Sequence, residues 1–283
     1  MRKKIALVAT LALTLCMGMF VLAGCSSSDE EATDDANVGV GDDNTLTVGF
    51  DQEFPPYGYV DEETGEYTGF DLDLAAEVAE RNGWEIEYMP INWDSKDLEL
   101  ESGTIDVIWN GFTIEGREDD YEFTDPYMDN SQVIVVRTDS GIETLDDLEG
   151  KVVMVQADSA ALDLLSEGGD QEDLAATFSN LQTTADYNTA FMELESGAVD
   201  ALAIDLPVAK FNIGDDTDTY TILDENLNSE HYAVGAKLGN TSLVEQIEET
   251  LIEMVEDGTV EEICAKYEDQ GISYDMWILG IDE

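Results

Sequence analysis

The 283-residue chain is predicted to fold as an α/β protein made of two successive units, each with its own sheet. Stretches with strand periodicity alternate with stretches of helical spacing, and this alternation is typical of parallel strands flanked by helices. The alternation begins twice, near Thr45 and again near Gln132. Two units of about 100 residues each are therefore expected.

The first unit begins with a predicted strand over 45–50, where apolar and polar residues alternate. Apolar residues at helical spacing predict a helix from Phe70 to Arg81, which Asn82 and Gly83 end. The remaining predicted elements of this unit are a strand over 84–89, a short helix over 96–101 that stops at Gly103, and a strand over 107–109.

The second unit is predicted to begin with an apolar strand over 132–136. A helix is expected to open at Ser159 and another near Thr189. The other predicted elements are a helical turn over 145–150, strands over 152–155, 178–182, 201–204 and 232–236, and two C-terminal helices.

The N-terminus has the composition of an export signal. Three basic residues at 2–4 precede an apolar stretch over 5–21. The Leu-Ala-Gly-Cys sequence that ends at Cys25 resembles the lipobox of bacterial lipoproteins, in which the cysteine is acylated. We therefore expect residues 1–24 to be a lipoprotein signal peptide and Cys25 to hold the protein on the extracytoplasmic face of the cell membrane. The alternative is a transmembrane helix.

The other cysteines agree with this prediction. Cys16 lies in the signal, and Cys264 then has no partner for an intramolecular disulfide. Cys264 lies on the apolar side of a predicted helix, so a buried and inert thiol is expected.

The chain is strongly acidic, with 66 acidic and 11 basic residues and a formal net charge of −55. Removal of residues 1–24 takes away three basic residues and no acidic ones, so the mature chain has a net charge of −58. Such a charge repels nucleic acid and anionic lipid headgroups, and neither is expected as a partner. Residues 25–44 are acidic and lack aromatics, which predicts a flexible tether.

Several short motifs occur together between residues 45 and 280. They are F-P-P-Y at 54–57, G-F-D-L-D-L-A-A-E-V-A at 69–79, N-G-F-T-I at 110–114 followed by Arg117, F-T-D-P-Y at 123–127, and D-G-T at 257–259. In order and spacing they resemble the bacterial extracellular solute-binding proteins of family 3, which bind polar amino acids for ABC importers.

The resemblance implies a two-lobed, type II periplasmic-binding-protein-like fold with two crossover hinge strands and the ligand in the interlobe cleft. Lobe 1 would comprise residues 45–128 and 231–283, and lobe 2 would comprise residues 129–230. The implied partners are a free amino acid and the permease subunits of an ABC importer, with the membrane contacted only through the lipid. A monomer without cofactor or metal is expected.

The resemblance also implies which residues bind the carboxylate of the ligand. Arg117 would hold it, since a guanidinium forms two parallel hydrogen bonds with a carboxylate; its alternative role is a surface salt bridge with a neighbouring acid. Thr113 and the backbone at Asn110 and Gly111 would add hydrogen bonds. The loop before Arg117 is one residue shorter than is usual in the family, and Gly116 is expected to let the backbone turn tightly enough for the side chain to point inward.

Five further positions complete the implied site. Asp205 would bind the α-ammonium group, with a helix N-cap as an alternative or additional role. Ser159 would contact the carboxylate or serve only as an N-cap. Phe54 and Trp93 would flank the ligand side chain, unless they belong to the core. Asp51 would accept a hydrogen bond from the end of that side chain, which disfavours an acidic ligand.

The expected function is capture of a free polar amino acid for an ABC importer. Glutamine, another polar amino acid, a basic one and cystine all fit the sequence. An alternative is a binder of another small amine or carboxylate solute, such as an opine-like compound. A dehydratase-type enzyme on the same fold is less favoured, because the sequence has one histidine and no Ser-His-Asp or Cys/His metal pattern.

Overall fold

The computed structural model describes residue 40 and residues 44–281. The predicted signal peptide, the lipid site at Cys25 and all but two residues of the predicted tether lie outside this part of the chain. Among the described residues, no helix combines the length and the apolar character needed to cross a membrane.

The described chain folds into two lobes of mixed α/β structure, as the resemblance implies. The strands are β1 (Thr45–Phe50), β2 (Glu53–Phe54), β3 (Gly58–Val60), β4 (Tyr67–Thr68), β5 (Glu85–Pro90), β6 (Val107–Ile108), β7 (Tyr121–Phe123), β8 (Met128–Asn130), β9 (Gln132–Arg137), β10 (Val152–Gln156), β11 (Asn180–Thr184), β12 (Ala201–Asp205), β13 (Tyr220–Ile222), β14 (Glu230–Tyr232) and β15 (Gly235–Lys237). The helices are α1 (Phe70–Asn82), α2 (Lys96–Ser102), α3 (Ala160–Leu165), α4 (Glu172–Ala175), α5 (Tyr187–Ser196), α6 (Leu206–Ile213), α7 (Thr241–Glu256) and α8 (Thr259–Lys266). Short 3-10 helices span Trp93–Ser95, Thr138–Ser140, Leu145–Leu148, Glu268–Gln270 and Tyr274–Met276.

Each lobe has a five-stranded sheet covered by helices. The order is β5-β1-β6-β15-β7 in the first lobe and β11-β10-β12-β9-β13 in the second. Helices α1, α2 and α7 pack on the first sheet, with α8 packed against α1 and α7, and helices α3, α5 and α6 pack on the second. The alternation in β1 has the expected result: Leu46 and Val48 are fully buried, and full burial of such a side chain stabilises a fold by about 1.5–3 kcal/mol.

The prediction of parallel sheets is correct for two strand pairings in each sheet and wrong for the other two, because one strand of each sheet, β15 or β9, runs in the opposite direction. β1 is parallel to β5 and β6, whereas β15 is antiparallel to β6 and β7. In the second lobe β10 is parallel to β11 and β12, whereas β9 is antiparallel to β12 and β13. The reason is connectivity: β9 and β15 each follow a crossover strand without an intervening helix, and only a helical crossover returns the chain in the parallel sense.

Strands β8 and β14 connect the two lobes. They pair antiparallel, with Asn130 opposite Glu230 and Met128 opposite Tyr232. The sequence predicted one strand near 232–236, but the structure has β14 and β15 there, separated by Ala233 and Val234. The prediction also missed β2, β3, β4, β7, β13 and α4, which are short elements without a clear period. It considered α6 only as a helix that would follow an N-cap at Asp205.

Helix ends follow the predicted signals. α1 ends at Gly83 and α2 at Gly103, both in the left-handed conformation that glycine adopts readily. Cys264 lies in α8 with 2% of its surface exposed, as expected, and burial raises the pKa of its thiol to about 12.

The start of α1 depends on a close backbone approach at Gly69. The first helical N–H groups, of Phe70 and Asp71, donate to the carbonyls of Pro56 and Tyr57 at 2.8 and 3.1 Å. Gly69 has φ of +146°, and a Cβ there would lie 2.2 Å from the carbonyl oxygen of Tyr57.

Replacement of Gly69 by alanine is therefore expected to destabilise the fold by about 3 kcal/mol or more, since backbone strain of about 1–3 kcal/mol adds to the clash. Urea unfolding of the two proteins measures the difference. The matched control is Gly65→Ala, because Gly65 also has a positive φ but nothing lies within 4 Å of its added Cβ. Equal losses in the two variants would contradict the role of the close approach.

Candidate ligand-binding site

A small cavity lies between the lobes. Eight of the nine predicted ligand-binding residues line it. The lining residues are Phe54, Trp93, Asn110, Gly111, Thr113 and Arg117 from one lobe and Gln156, Ser159, Ala160 and Asp205 from the other.

The loop with Asn110, Gly111 and Thr113 is fixed by the motif at the start of α1. The carboxylate of Asp71, which is fully buried, accepts a hydrogen bond from the N–H of Gly111 at 2.6 Å and another from the Tyr127 hydroxyl at 2.9 Å. The G-F-D motif thus positions the cavity wall without touching the cavity.

Arg117 points into the cavity and is 9% exposed. Gly116 has φ of +79°, and the N–H of Arg117 donates to the Ile114 carbonyl at 3.0 Å, which is the tight turn expected of the shortened loop. The guanidinium lies 5.1 Å from the Phe112 ring centroid and pairs with Asp163 of the opposite lobe at 2.8 Å. This partner is not one of the acids adjacent in sequence, Glu115 or Asp119, that were considered for a surface salt bridge.

The cleft is closed by contacts to Asp158, which follows β10 and has a positive φ of 60°. Its carbonyl oxygen accepts hydrogen bonds from Trp93 Nε1 at 3.1 Å and from Lys96 and Arg117 at 3.4 Å each. The buried ammonium of Lys96 also pairs with its carboxylate. One loop of the second lobe is thus bonded to three side chains of the first.

Asp51 is the predicted residue that does not line this cavity. Its carboxylate accepts hydrogen bonds from the Glu53 N–H at 2.9 Å and from Gln156 Nε2, across the cleft, at 2.7 Å. Asp51 instead lines a neighbouring cavity, which shares Trp93 with the first and also contains Glu53, Asp94 and Asp186. Gln156, which does line the first cavity, therefore occupies the position that was expected for Asp51.

Asp205 ends β12 and occupies the N-cap position of α6, but its side chain makes no capping hydrogen bond. Its Oδ1 atom accepts three hydrogen bonds, from Asn130 at 2.9 Å, Gln132 at 2.7 Å and the Tyr232 hydroxyl at 2.5 Å. These three hydrogen bonds within residues 44–281 all end on Oδ1, so a ligand would approach Oδ2.

Phe54, Trp93 and Ser159 line the cavity and also make structural contacts. Phe54 and Trp93 line the cavity and are also 7% and 9% exposed members of aromatic clusters. Ser159 is the N-cap of α3, where it accepts from the Leu162 N–H at 3.2 Å, and it also lines the cavity.

Sequence reasoning missed Gln156, Ala160 and Glu230. Gln156 and Ala160 lie on the cavity wall. Glu230 is 1% exposed and lies behind the wall, where it accepts a hydrogen bond from Thr113. A glutamate beside the apolar stretch 232–236 was the available signal for a buried acid at the second crossover.

Three buried carboxyl groups have raised pKa values because burial disfavours their charged forms. The pKa of Asp51 is raised to about 6, and that of Asp71 to about 7. Burial, with the charge of Glu230 as the second cause, raises the pKa of Asp205 to about 7.

These pKa values make the stability of the ligand-free protein depend on pH. An acid whose pKa is higher in the folded chain than its ordinary value of 3.8 stabilises the fold fully below that value, and this stabilisation is lost as the pH rises through the folded pKa. We expect the Tm to be several degrees higher at pH 5 than at pH 8, since about 1 kcal/mol shifts the Tm of such a protein by roughly 2–4 °C.

Calorimetric Tm values measured across this range test the expectation. The exposed Asp257, whose pKa is lowered to about 2 by Arg81, acts in the opposite direction only below about pH 4. The Asp71→Asn variant should show a smaller change of Tm with pH than the wild type. If the change came only from weaker repulsion among the surface carboxylates at low pH, this variant would show the same change as the wild type. A Tm that rises with pH in the wild type would contradict the assignment.

The fold and this cavity define a bilobal binding protein for a small solute. A guanidinium from one lobe and a buried acid from the other, both lining one cavity, can neutralise the two charged groups of a zwitterion. The chain belongs to the bacterial extracellular solute-binding proteins, family 3, whose model matches residues 46–270. The resemblance read from the motifs is thus confirmed, and it places the chain among extracytoplasmic binding proteins.

Individual relatives agree along almost the whole chain. The L-cystine-binding protein TcyJ of Escherichia coli strain K12 is 29% identical over 265 residues, which cover 93% of this chain and 94% of that protein. An ABC uptake transporter substrate-binding protein from Streptococcus pneumoniae, solved with bound histidine, has a TM-score of 0.77 and 33% identity over 82% of this chain and 95% of that one. The ancestral amino acid-binding protein AncCDT-1, a precursor of cyclohexadienyl dehydratase, has a TM-score of 0.70 and 28% identity over 79% of this chain and 95% of that one.

Proposed function

We propose that the protein captures a free amino acid in the interlobe cavity and delivers it to the permease subunits of an ABC importer. The observation that carries this proposal is the presence of the Arg117 guanidinium and the buried Asp205 carboxylate on the wall of one small cavity. A buried charge needs an opposite charge beside it, and an α-amino acid supplies an anion and a cation a few bonds apart.

In this proposal Arg117 binds the ligand carboxylate and Asp205 binds the α-ammonium group. Asn110 and Gly111 of one lobe and Ser159 of the other would add hydrogen bonds, and Thr113 would also contact the ligand. Since Asp163 also contacts the guanidinium, an incoming carboxylate would share Arg117 with it or replace it.

The ligand side chain would lie between Phe54 and Trp93, directed toward Asp51 and Gln156. The neighbouring cavity past Trp93 is lined by four acids, which repel an anionic side chain. The proposed ligand is therefore an amino acid with a neutral or cationic side chain, with cystine, histidine, arginine and glutamine as the first candidates.

The proposal extends to the cellular setting. The lobes would comprise residues 45–128 with 231–283, and 129–230, and would close on the ligand by a hinge at β8 and β14. A lipid on Cys25 and the tether over 25–44 would keep a monomeric protein at the extracytoplasmic face, near its permease. Binding would involve no catalysis.

Isothermal titration calorimetry with the twenty amino acids and cystine tests the function. We expect one ligand per chain, and glutamate and aspartate among the weakest. Absence of heat with every compound, from protein shown to be folded by circular dichroism, would refute amino acid capture. Mass spectrometry of the recovered ligand distinguishes a binder from a dehydratase, which would return a compound lighter by one water.

A further inference from the structure

Two buried acids, Asp205 and Glu230, share one set of hydrogen-bond donors beside the cavity. The Nδ2 atom of Asn130 lies 2.9 Å from Asp205 Oδ1 and 2.7 Å from Glu230 Oε1. The Nε2 atom of Gln132 lies 2.7 Å from the first oxygen and 2.8 Å from the second. The two carboxyl groups are therefore close neighbours, and they are 4% and 1% exposed.

The remaining partners of this carboxyl pair are neutral. The Tyr232 hydroxyl donates to Asp205, and Asn228 Nδ2 donates to the second oxygen of Glu230 at 2.9 Å. No lysine, arginine or histidine in residues 44–281 forms an ion pair with either acid. Two adjacent buried carboxylates without a cation repel each other strongly, so the pair holds a proton.

Glu230 also sets the hydrogen-bonding direction of Thr113. The Thr113 hydroxyl donates its hydrogen to Glu230 Oε1 at 3.0 Å. A hydroxyl has one hydrogen to donate, so the lone pairs of Oγ1 are what remains for the cavity that Thr113 lines. Lone pairs accept from an ammonium group and repel a carboxylate, and this places Thr113 with the cation of the ligand.

We infer that Glu230 is a specificity-determining residue: with Asp205 it forms a site that exchanges one proton for one ammonium group, and it makes Thr113 an acceptor for the same group. The inference rests on the proposed amino acid function and deepens it. In the exchange, the carboxyl O–H bond of the pair breaks and its proton passes to the solvent buffer. N–H···O hydrogen bonds from the ligand then form, and the net charge of the occupied pair stays at −1.

The exchange has a defined pH dependence. Where the free pair holds its proton, ligand binding must displace that proton, so affinity falls by up to about tenfold for each unit by which the pH is lowered. The buried Tyr57, Tyr187 and Tyr232 interact electrostatically with Asp205 and Glu230, but burial raises the pKa of each well above 10, so they stay neutral.

The other charged groups near the pair can be distinguished from it in the pH dependence of binding. Arg117 on the same cavity stays charged throughout. Asp71, whose pKa is also raised to about 7, does not line the cavity. His231 follows Glu230 in β14, and its exposed ring contacts Glu115 and Asp129 on the outer side of the crossover.

Calorimetry in two buffers of different ionisation enthalpy counts the protons released. The probe is whichever of L-cystine, L-histidine, L-arginine and L-glutamine binds the wild type most tightly at pH 8. We expect release of close to one proton per ligand at pH 6 and almost none at pH 8.5. Binding without proton release at pH 6 would overturn the inference but leave the proposed function intact, whereas failure of all four probes to bind would defeat both.

The Glu230→Gln variant tests the residue itself. Its affinity at pH 8 should fall at least tenfold, and its proton release at pH 6 should be clearly reduced. Asp129→Asn is the matched control, since it removes a neighbouring carboxylate of β8 that is outside the network, and it should behave as the wild type. Wild-type affinity in Glu230→Gln would refute the assignment.

Thermal unfolding separates this role from a structural one. Removal of one of two like buried charges should leave the ligand-free Tm of Glu230→Gln at pH 8 equal to or above that of the wild type. A structural role alone would lower the Tm and the affinity together, and this outcome would also overturn the inference.

Discussion

Replacement of Arg117 by alanine is expected to weaken amino acid binding by about 30-fold to several thousandfold. Loss of one partner of a buried, hydrogen-bonded charge pair costs roughly 2–5 kcal/mol, and each 1.4 kcal/mol is a factor of ten. The ligand carboxylate would otherwise be buried with its cation missing. Titration calorimetry of wild type and variant with the same amino acid measures the ratio.

Two further variants make the result specific to the guanidinium. Arg117→Lys keeps the charge but loses the planar fork, so its affinity should lie between those of the wild type and the alanine variant. Arg81→Ala removes the same charge from the end of α1, where Arg81 pairs with Glu77 and Asp257, and should bind as the wild type does. An unchanged affinity in Arg117→Ala would exclude Arg117 from the site.

The Asp205→Asn variant is expected to lose at least a hundredfold in affinity at pH 8 while the ligand-free fold keeps or gains stability. The amide oxygen can still accept from Asn130, Gln132 and Tyr232. The new NH₂ group, however, takes the place of Oδ2 and points a donor at the ammonium group of the ligand, which needs an acceptor there. The buried repulsion between Asp205 and Glu230 is removed at the same time.

The opposite signs of these two effects are the test. Titration calorimetry gives the affinity, and thermal unfolding without ligand gives the stability. Asp200→Asn is a suitable control, since Asp200 begins the same strand region and bonds the Val152 N–H at 2.9 Å, remote from the cavity lining. Equal binding by Asp205→Asn and wild type would remove Asp205 from the ammonium subsite.

Motifs with a strict local geometry transferred well from sequence to structure. Gly83 and Gly103 marked the ends of α1 and α2 because the left-handed C-cap favours glycine. Gly116 marked the turn that directs Arg117 inward. These features depend only on residues that are close in sequence, so they can be predicted without knowledge of the tertiary structure.

Features that depend on distant partners were predicted less completely. The strand pairing of β9 and β15 follows from the crossovers and not from local pattern. Asp51 lies next to the cavity and not on its wall, because Gln156 of the other lobe reaches across to its carboxylate. Their separation in sequence gave no sign of this contact.

The sequence by itself determined the family, the two-lobed fold and eight of the residues around the cavity, because each is encoded in short motifs of fixed spacing. Only the tertiary structure decided how the charges are arranged. Asp205 and Glu230 are 25 positions apart in the chain, and they become a pair because β12 and β14 bring them to the same two amide groups. Electrostatic interaction depends on distance and burial, and neither can be read from a sequence before the chain is folded.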